Sequence, residues 1–204
     1  MAERPAGPDR DTREQILRRA IALFADAGYA GVSVRDVAAG VGISAAALYH
    51  HFPDKQALYL AAMEYAFARN ESGLVAALQS DLPPLERLER FVTGFASLVA
   101  RDGEFRKLVL RELLDGDDAR LALLAEHVFR QPHAAIVALA GDLATDLDPY
   151  MLADSVIGLL LFNSSTALLR RHLAGRTTPP ESPGDIARHV MALLTRAFAP
   201  QDSP

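Results

Sequence analysis

Residues 33–55 read SVRDVAAGVGISAAALYHHFPDK. The pattern predicts two short helices on a tight turn, with a longer helix behind them. Ser33 and Asp36 have the spacing of an N-cap and its reciprocal carboxylate. Val34, Val37, Ala38 and Val41 then form one apolar stripe. Gly42 stops this helix. Ser44 caps the next, with Leu48 and Phe52 inward. Pro53 breaks it, and Asp54 caps a long helix running from Lys55 to about Gln79. Two helices of about two turns joined by Gly42-Ile43-Ser44 make a helix-turn-helix candidate, in which the second helix enters the major groove of DNA. An ordinary αα-hairpin has the same spacing.

The outward residues bear on that choice. With Leu48 and Phe52 inward, Ala45, Ala46, Tyr49 and His50 face out. Tyrosine hydroxyls and histidines are good phosphate partners. The alternative for His50 and His51 is simple solvation or a metal pair. Adjacent helical residues point about 100° apart, which argues against a shared metal. Lys55 stands at the first position of a helix, where the dipole favours anions. A phosphate docked on that N-terminus would account for it. Arg35, in the first turn of the preceding helix, repeats the anomaly. The bland account is that both cations are solvated beside Asp36 and Asp54.

The rest of the chain is also helical. Strand-like alternation is nearly absent, and apolar residues recur at helical spacing throughout its 204 residues. The expected class is all-α with about nine helices. Residues 1–11 read as a polar, disordered tail and 200–204 as a second one. A first helix starts at Thr12 and ends at Gly28. Residues 12–58 form the small N-terminal module, and 59–199 a larger module of longer helices. Pro132 must kink or split the helix that starts near Asp117. Asp148-Pro149 opens another helix reaching about Ala174, and the loop GRTTPPESPG precedes the last, from Asp185 to Ala199.

Composition limits the function classes. There are no cysteines, so disulfides and thiol catalysis drop out. The start MAERPAGPDRDTREQ has no apolar signal region. The longest apolar run, VIGLLLF at 156–162, is far short of the roughly 20 residues a spanning helix needs. A cytoplasmic protein is expected. The net charge of −5 is the wrong sign for a nucleic-acid binder. Over residues 1–60 basic and acidic residues balance, seven of each, so only a local constellation supports DNA.

That constellation extends over ILRRAIALFADAGYAGVSVRDVAAGVGISAAALYHHFPDKQALYL, residues 16–60. The stretch resembles the DNA-binding domain of the TetR/AcrR family of bacterial repressors. Phe24, Gly28-Tyr29, Ser33-Val34, Val37-Ala38, Gly42-Ile43-Ser44, Leu48-Tyr49, His51-Phe52, Lys55 and Leu58 occur in the family's order. Ala45-Ala46 departs from it, since many relatives carry a polar or charged residue followed by Gly there. The resemblance implies that Ser33, Tyr49, His51 and Lys55 hold the DNA backbone. It implies that Arg35, Ser44, Ala45, Ala46 and His50 face bases, the alanines touching thymine methyl groups. It also implies a C-terminal domain that dimerises and binds a small-molecule effector.

The residues support that second domain independently. The helix around 156–162 is apolar nearly all round and must be covered on two sides. Its Val156, Leu160, Ser164 and Ala167, with Ile186, Val190 and Leu193 of the last helix, are the expected two-fold interface; a wholly intramolecular core is the alternative. The candidate effector neighbourhood is Phe67, Phe91, Phe95, Phe105, His127 and Asn163. A phenylalanine at helical spacing is usually core, and Asn163 needs a hydrogen-bond partner that can be a nearby carbonyl as well as a ligand. No cofactor, metal site or membrane is expected. The expected function is a homodimeric repressor of a palindromic operator, released by a small apolar effector. An activator of the same architecture is the second reading. An all-α enzyme is the third and weakest, because no nucleophile–base pair or H-E-x-x-H occurs.

Overall fold

A computed structural model describes residues 8–143, 146–173 and 182–198 of the chain, without the side chains of 8, 9 and 70–72. Among these residues there are eleven α-helices and one π turn: α1 (Pro8–Ala27), α2 (Val34–Val41), α3 (Ala45–His51), α4 (Lys55–Leu78), α5 (Pro84–Arg101), α6 (Gly103–Asp115), α7 (Asp118–Leu124), the π turn (Ala125–Phe129), α8 (Arg130–Leu143), α9 (Pro149–Ser165), α10 (Ala167–Arg170) and α11 (Pro183–Phe198). Residues 1–7 of the expected tail, most of the GRTTPPESPG loop and the tail at 200–204 lie outside the described residues.

Most element bounds follow local chemistry. The Gly42 turn is a Schellman motif. Gly42 N–H donates to Ala39 O at 3.2 Å and Ile43 N–H to Ala38 O at 3.1 Å. Gly42 sits at φ 80°, and a Cβ built on it meets nothing within 4 Å. Gly42→Ala therefore carries the left-handed backbone penalty alone, about 1–2 kcal/mol. Urea unfolding of the variant measures this directly, and an unchanged midpoint would contradict the turn.

Three bounds differ from expectation. α1 begins at Pro8 instead of Thr12, so residues 8–11 are helical and not tail; proline suits a first turn, where its missing N–H has no partner to lose. Pro132 falls in the first turn of α8, directly after the π turn. A wider turn there relieves the clash of its ring with the carbonyl four residues back, and the chain stays helical through it. The helix opened by Pro149 ends at Ser165, not near Ala174. There Asn163 Nδ2, Ser165 Oγ and Thr166 Oγ1 donate to the carbonyls of Leu159, Leu161 and Phe162. Such back-bonding competes with the helix ladder and bends it.

The described residues divide into two compact units: those up to 69 with 107–128, and those of 70–106 with those from 129 to 198. In the first, α1 packs on α2 and α2 on α3, and Ile16, Leu17, Ala20, Phe24, Val37, Ala38, Leu48, Phe52 and Leu58 are buried. The segment 107–128 is tied in by polar contacts. Arg111 Nε and Nη2 donate to the Ala25 and Asp26 carbonyls at 2.8 and 2.6 Å, satisfying the end of α1. Lys107 Nζ pairs with Asp26 at 2.6 Å. In the second unit α5, α8, α9 and α11 pack around Leu88, Val92, Ile136, Leu139, Leu160 and Val190.

This second core corrects the expected interface. Val156, Leu160, Ser164, Ile186 and Val190 are all buried within the unit itself. They pack against their own chain and leave little surface for a partner; Leu193 alone of the seven is exposed, and Ala167 is half-buried.

Candidate nucleic-acid interface

α2 and α3 are capped as a matched pair. Asp36 N–H donates to Ser33 Oγ at 3.2 Å, while Ser33 N–H and Oγ–H donate to Asp36 Oδ2 at 2.8 and 2.6 Å. These bonds hold the Asp36 carboxyl below the usual carboxylate range. Ser33 is thus committed locally. Ser44 Oγ accepts from Ala47 N–H at 3.1 Å and starts α3. Asp54 Oδ1 accepts from Ala57 N–H at 2.7 Å and starts α4.

The capping fixes which face of α3 is free. Leu48 is fully buried and Phe52 nearly so, while Tyr49 is 50% exposed. Ala46 and His50 are exposed, Ala45 and His51 half-buried, and Arg35 and Ser44 exposed one turn away. The His51 ring lies 6.4 Å from that of Phe52. Seven of the nine expected DNA-facing residues thus belong to α3, its N-cap and the start of α2, with Ser33 at the α2 cap and Lys55 at the first residue of α4.

Lys55 has an internal partner that no local pattern announces. Its Nζ lies 4.2 Å from the centroid of the Tyr29 ring, within cation–π range. Burial, and secondarily the charge of Arg120, pull its ammonium pKa below the ordinary lysine value. Tyr29 belongs to the Gly28-Tyr29 pair that ends α1. The Arg13 guanidinium stands 5.1 Å from the Phe52 ring.

Of the expected effector residues, Phe67 and His127 belong to the first unit and Phe91, Phe95, Phe105 and Asn163 to the second. Phe91 and Phe95 stack at 5.6 Å in the second unit. Phe105 is buried, Phe67 half-buried and His127 exposed on the π turn. Asn163 is satisfied by its own helix, 2.8 Å from Leu159 O. A void of about 10 Å³ in the second unit is lined by Leu88, Ile136, Leu139, Ala140, Leu152 and Phe198 among others, and by none of the six. It has room for at most about one water.

No described helix is long and apolar enough to cross a membrane, and no group of three or more potential ligands among the described residues could hold a metal ion.

Comparison with known proteins agrees with this geometry. The sequence profile of bacterial regulatory proteins of the tetR family matches residues 16–62. The transcriptional repressor AcnR of Corynebacterium diphtheriae is 32% identical over 171 residues, 79% of this chain and 87% of that protein. The transcriptional activator FasR of Mycolicibacterium smegmatis is 30% identical over 115 residues, so the match spans about half of each chain, 52%. Among solved structures, AibR in complex with isovaleryl coenzyme A and operator DNA superposes with a TM-score of 0.69 at 23% identity, over 89% of this chain and 97% of that one. Capped helix pair, Gly42 turn, residue pattern and near full-length relative converge on one assignment: the chain belongs to the tetR family of bacterial regulatory proteins.

Proposed function

We propose that the chain is a DNA-binding transcriptional regulator, acting in the cytoplasm as a homodimeric repressor of a palindromic operator. It is a binding protein with no catalytic activity. The observation that carries this reading is α3: a helix anchored by buried Leu48 and Phe52 that turns Ala46, Tyr49 and His50 outward, one Gly42 turn after α2 with exposed Arg35. Tyr49, His51 and Lys55 take phosphates, with Ser33 at the α2 cap. Arg35, His50, Ser44, Ala45 and Ala46 face base edges. The first unit binds DNA, and the second takes the effector and the partner protomer. In a two-fold dimer the two α3 helices lie about 34–36 Å apart, one turn of DNA.

Repression is favoured because a relative covered over most of its length is a repressor. Activation is the second reading, supported by FasR, and depends on where the operator lies relative to the promoter. The effector is small and apolar. The second unit's void is lined by apolar side chains only, and its occupant must widen it. The ligand in the AibR structure, isovaleryl coenzyme A, carries such an apolar acyl group.

Titration of the protein into a duplex bearing the palindrome upstream of its own gene tests the reading. Tyr49→Ala and Lys55→Met are expected to weaken binding on all sequences, and each lost phosphate contact flattens the salt slope by about one. Ala46→Lys is expected to change sequence preference while leaving the unfolding midpoint nearly unmoved. No salt-dependent binding by the wild-type protein would refute the reading.

A further inference from the structure

Lys55 shares its aromatic seat with a second cation. The Arg120 Cζ lies 4.4 Å from the Tyr29 centroid, close to the 4.2 Å of Lys55 Nζ. Two cations on one ring repel each other, so at least one of them must be held by something else. Arg120 is held by Glu112: its Nε donates to the two carboxylate oxygens at 2.9 and 3.2 Å. Glu112 is only 2% exposed, and it also accepts the Tyr59 hydroxyl at 2.7 Å. The Tyr59 ring in turn meets the Tyr29 ring edge-on at 5.1 Å, and Phe24 stacks on Tyr29 at 6.2 Å. Tyr29 is therefore fixed on several sides, and Arg120 is anchored to a buried carboxylate. Lys55 has no such anchor among these contacts. It is the cation of the pair that can turn to an incoming anion.

We propose that Tyr29 and Arg120 are positioning residues for a phosphate contact by Lys55: the ring seats the ammonium at the start of α4, and Arg120, tied to Glu112, fixes the ring. This rests on the reading of the first unit as a DNA-binding module. A free lysine loses much rotamer freedom when it engages a phosphate, and seating it beforehand removes part of that loss. Partial burial also strips water from the ammonium before the phosphate arrives. Segment 107–128, which brings Glu112 and Arg120 to this cluster, thereby enters into DNA affinity without touching DNA.

A double-mutant cycle on the full chain separates positioning from mere support of the fold. Affinity for the upstream duplex is read by fluorescence anisotropy over a salt series, and folding by thermal unfolding. Tyr29→Leu removes the ring, and Arg120→Lys keeps the charge on Glu112 but loses the flat guanidinium. Each is expected to weaken binding about three- to fivefold. In a Lys55→Met background each is expected to weaken it less than about twofold, because the residue they act through is gone. Tyr29→Phe, which keeps the ring, stays near wild type. Equal losses in both backgrounds would overturn the inference, as would Tyr29→Leu binding like wild type. If wild type and Lys55→Met bind alike, Lys55 makes no phosphate contact and the inference falls while DNA binding stands. If wild type shows no salt-dependent binding, the DNA reading fails and takes the inference with it.

Discussion

Arg120→Ala is expected to destabilise the first unit by about 3–5 kcal/mol, a large part of the stability of a small domain. Glu112 is 2% exposed and the Arg120 side chain 11%, so the pair is solvated by little except itself. Removing the arginine leaves a buried carboxylate with the Tyr59 hydroxyl as its remaining hydrogen-bond partner in the cluster. It also frees the pairings of Arg120 with Asp115 and Asp117 at 3.6 and 3.7 Å, which are more exposed and contribute less. The double variant Glu112→Gln, Arg120→Met removes both charges and leaves the Gln carbonyl to accept from Tyr59. It is expected to recover most of the loss, since a well-packed neutral replacement of a buried pair is near neutral. Urea unfolding of the three proteins checks this. A single-variant loss under about 1 kcal/mol would mean that water reaches Glu112.

The same cluster shows where sequence reading stops. Ser33 with Asp36, Gly42, Ser44 and Asp54 were all legible, because capping and left-handed turns are decided within a few residues. Leu48 and Phe52 were legible because a short amphipathic helix has one apolar face and hence a defined phase. A cation at a helix start makes Lys55 legible as an oddity, yet its Tyr29 seat is not, since it depends on where the chain folds back. Glu112 and Arg120 gave no signal at all: an acidic and a basic residue on helices near an Asp-rich turn read as solvated surface. One helix start and one helix end were overruled by neighbours. Thr12 has capping chemistry, but Pro8 lets α1 start earlier. Pro149 starts α9 as expected, but the run from Asn163 to Thr166 ends it early through its own side-chain hydrogen bonds. The effector residues are the least legible, because a phenylalanine on an apolar stripe carries no information about whether it lines a core or a void.

Phe162→Glu is expected to convert the protein from dimer to monomer in sedimentation equilibrium and to lower its affinity for a palindromic duplex by about 100-fold or more, the advantage that linking two half-site contacts confers. The reason lies in the phase of α9. The helix is apolar nearly all round, so its periodicity cannot say which face is inside. The fold assigns Val156, Leu160 and Ser164 to its own core and leaves Met151, Ser155, Gly158 and Phe162 outside, with Met151 66% and Phe162 70% exposed. Large apolar side chains in one exposed row mark a contact surface. Gly158 adds an independent reason. Its φ is not left-handed, and a Cβ on it meets nothing within 4 Å among the described residues. Neither backbone nor internal packing asks for glycine there, although glycine in mid-helix costs about 1 kcal/mol. A second copy approaching across a two-fold axis does ask for it, because two helices crossing at Gly158 come closer than any side chain permits. Gly158→Leu is therefore expected to weaken the dimer while leaving the monomer's unfolding midpoint unchanged or higher. If both variants remain dimeric and bind the duplex like wild type, the partner protomer does not sit on this face.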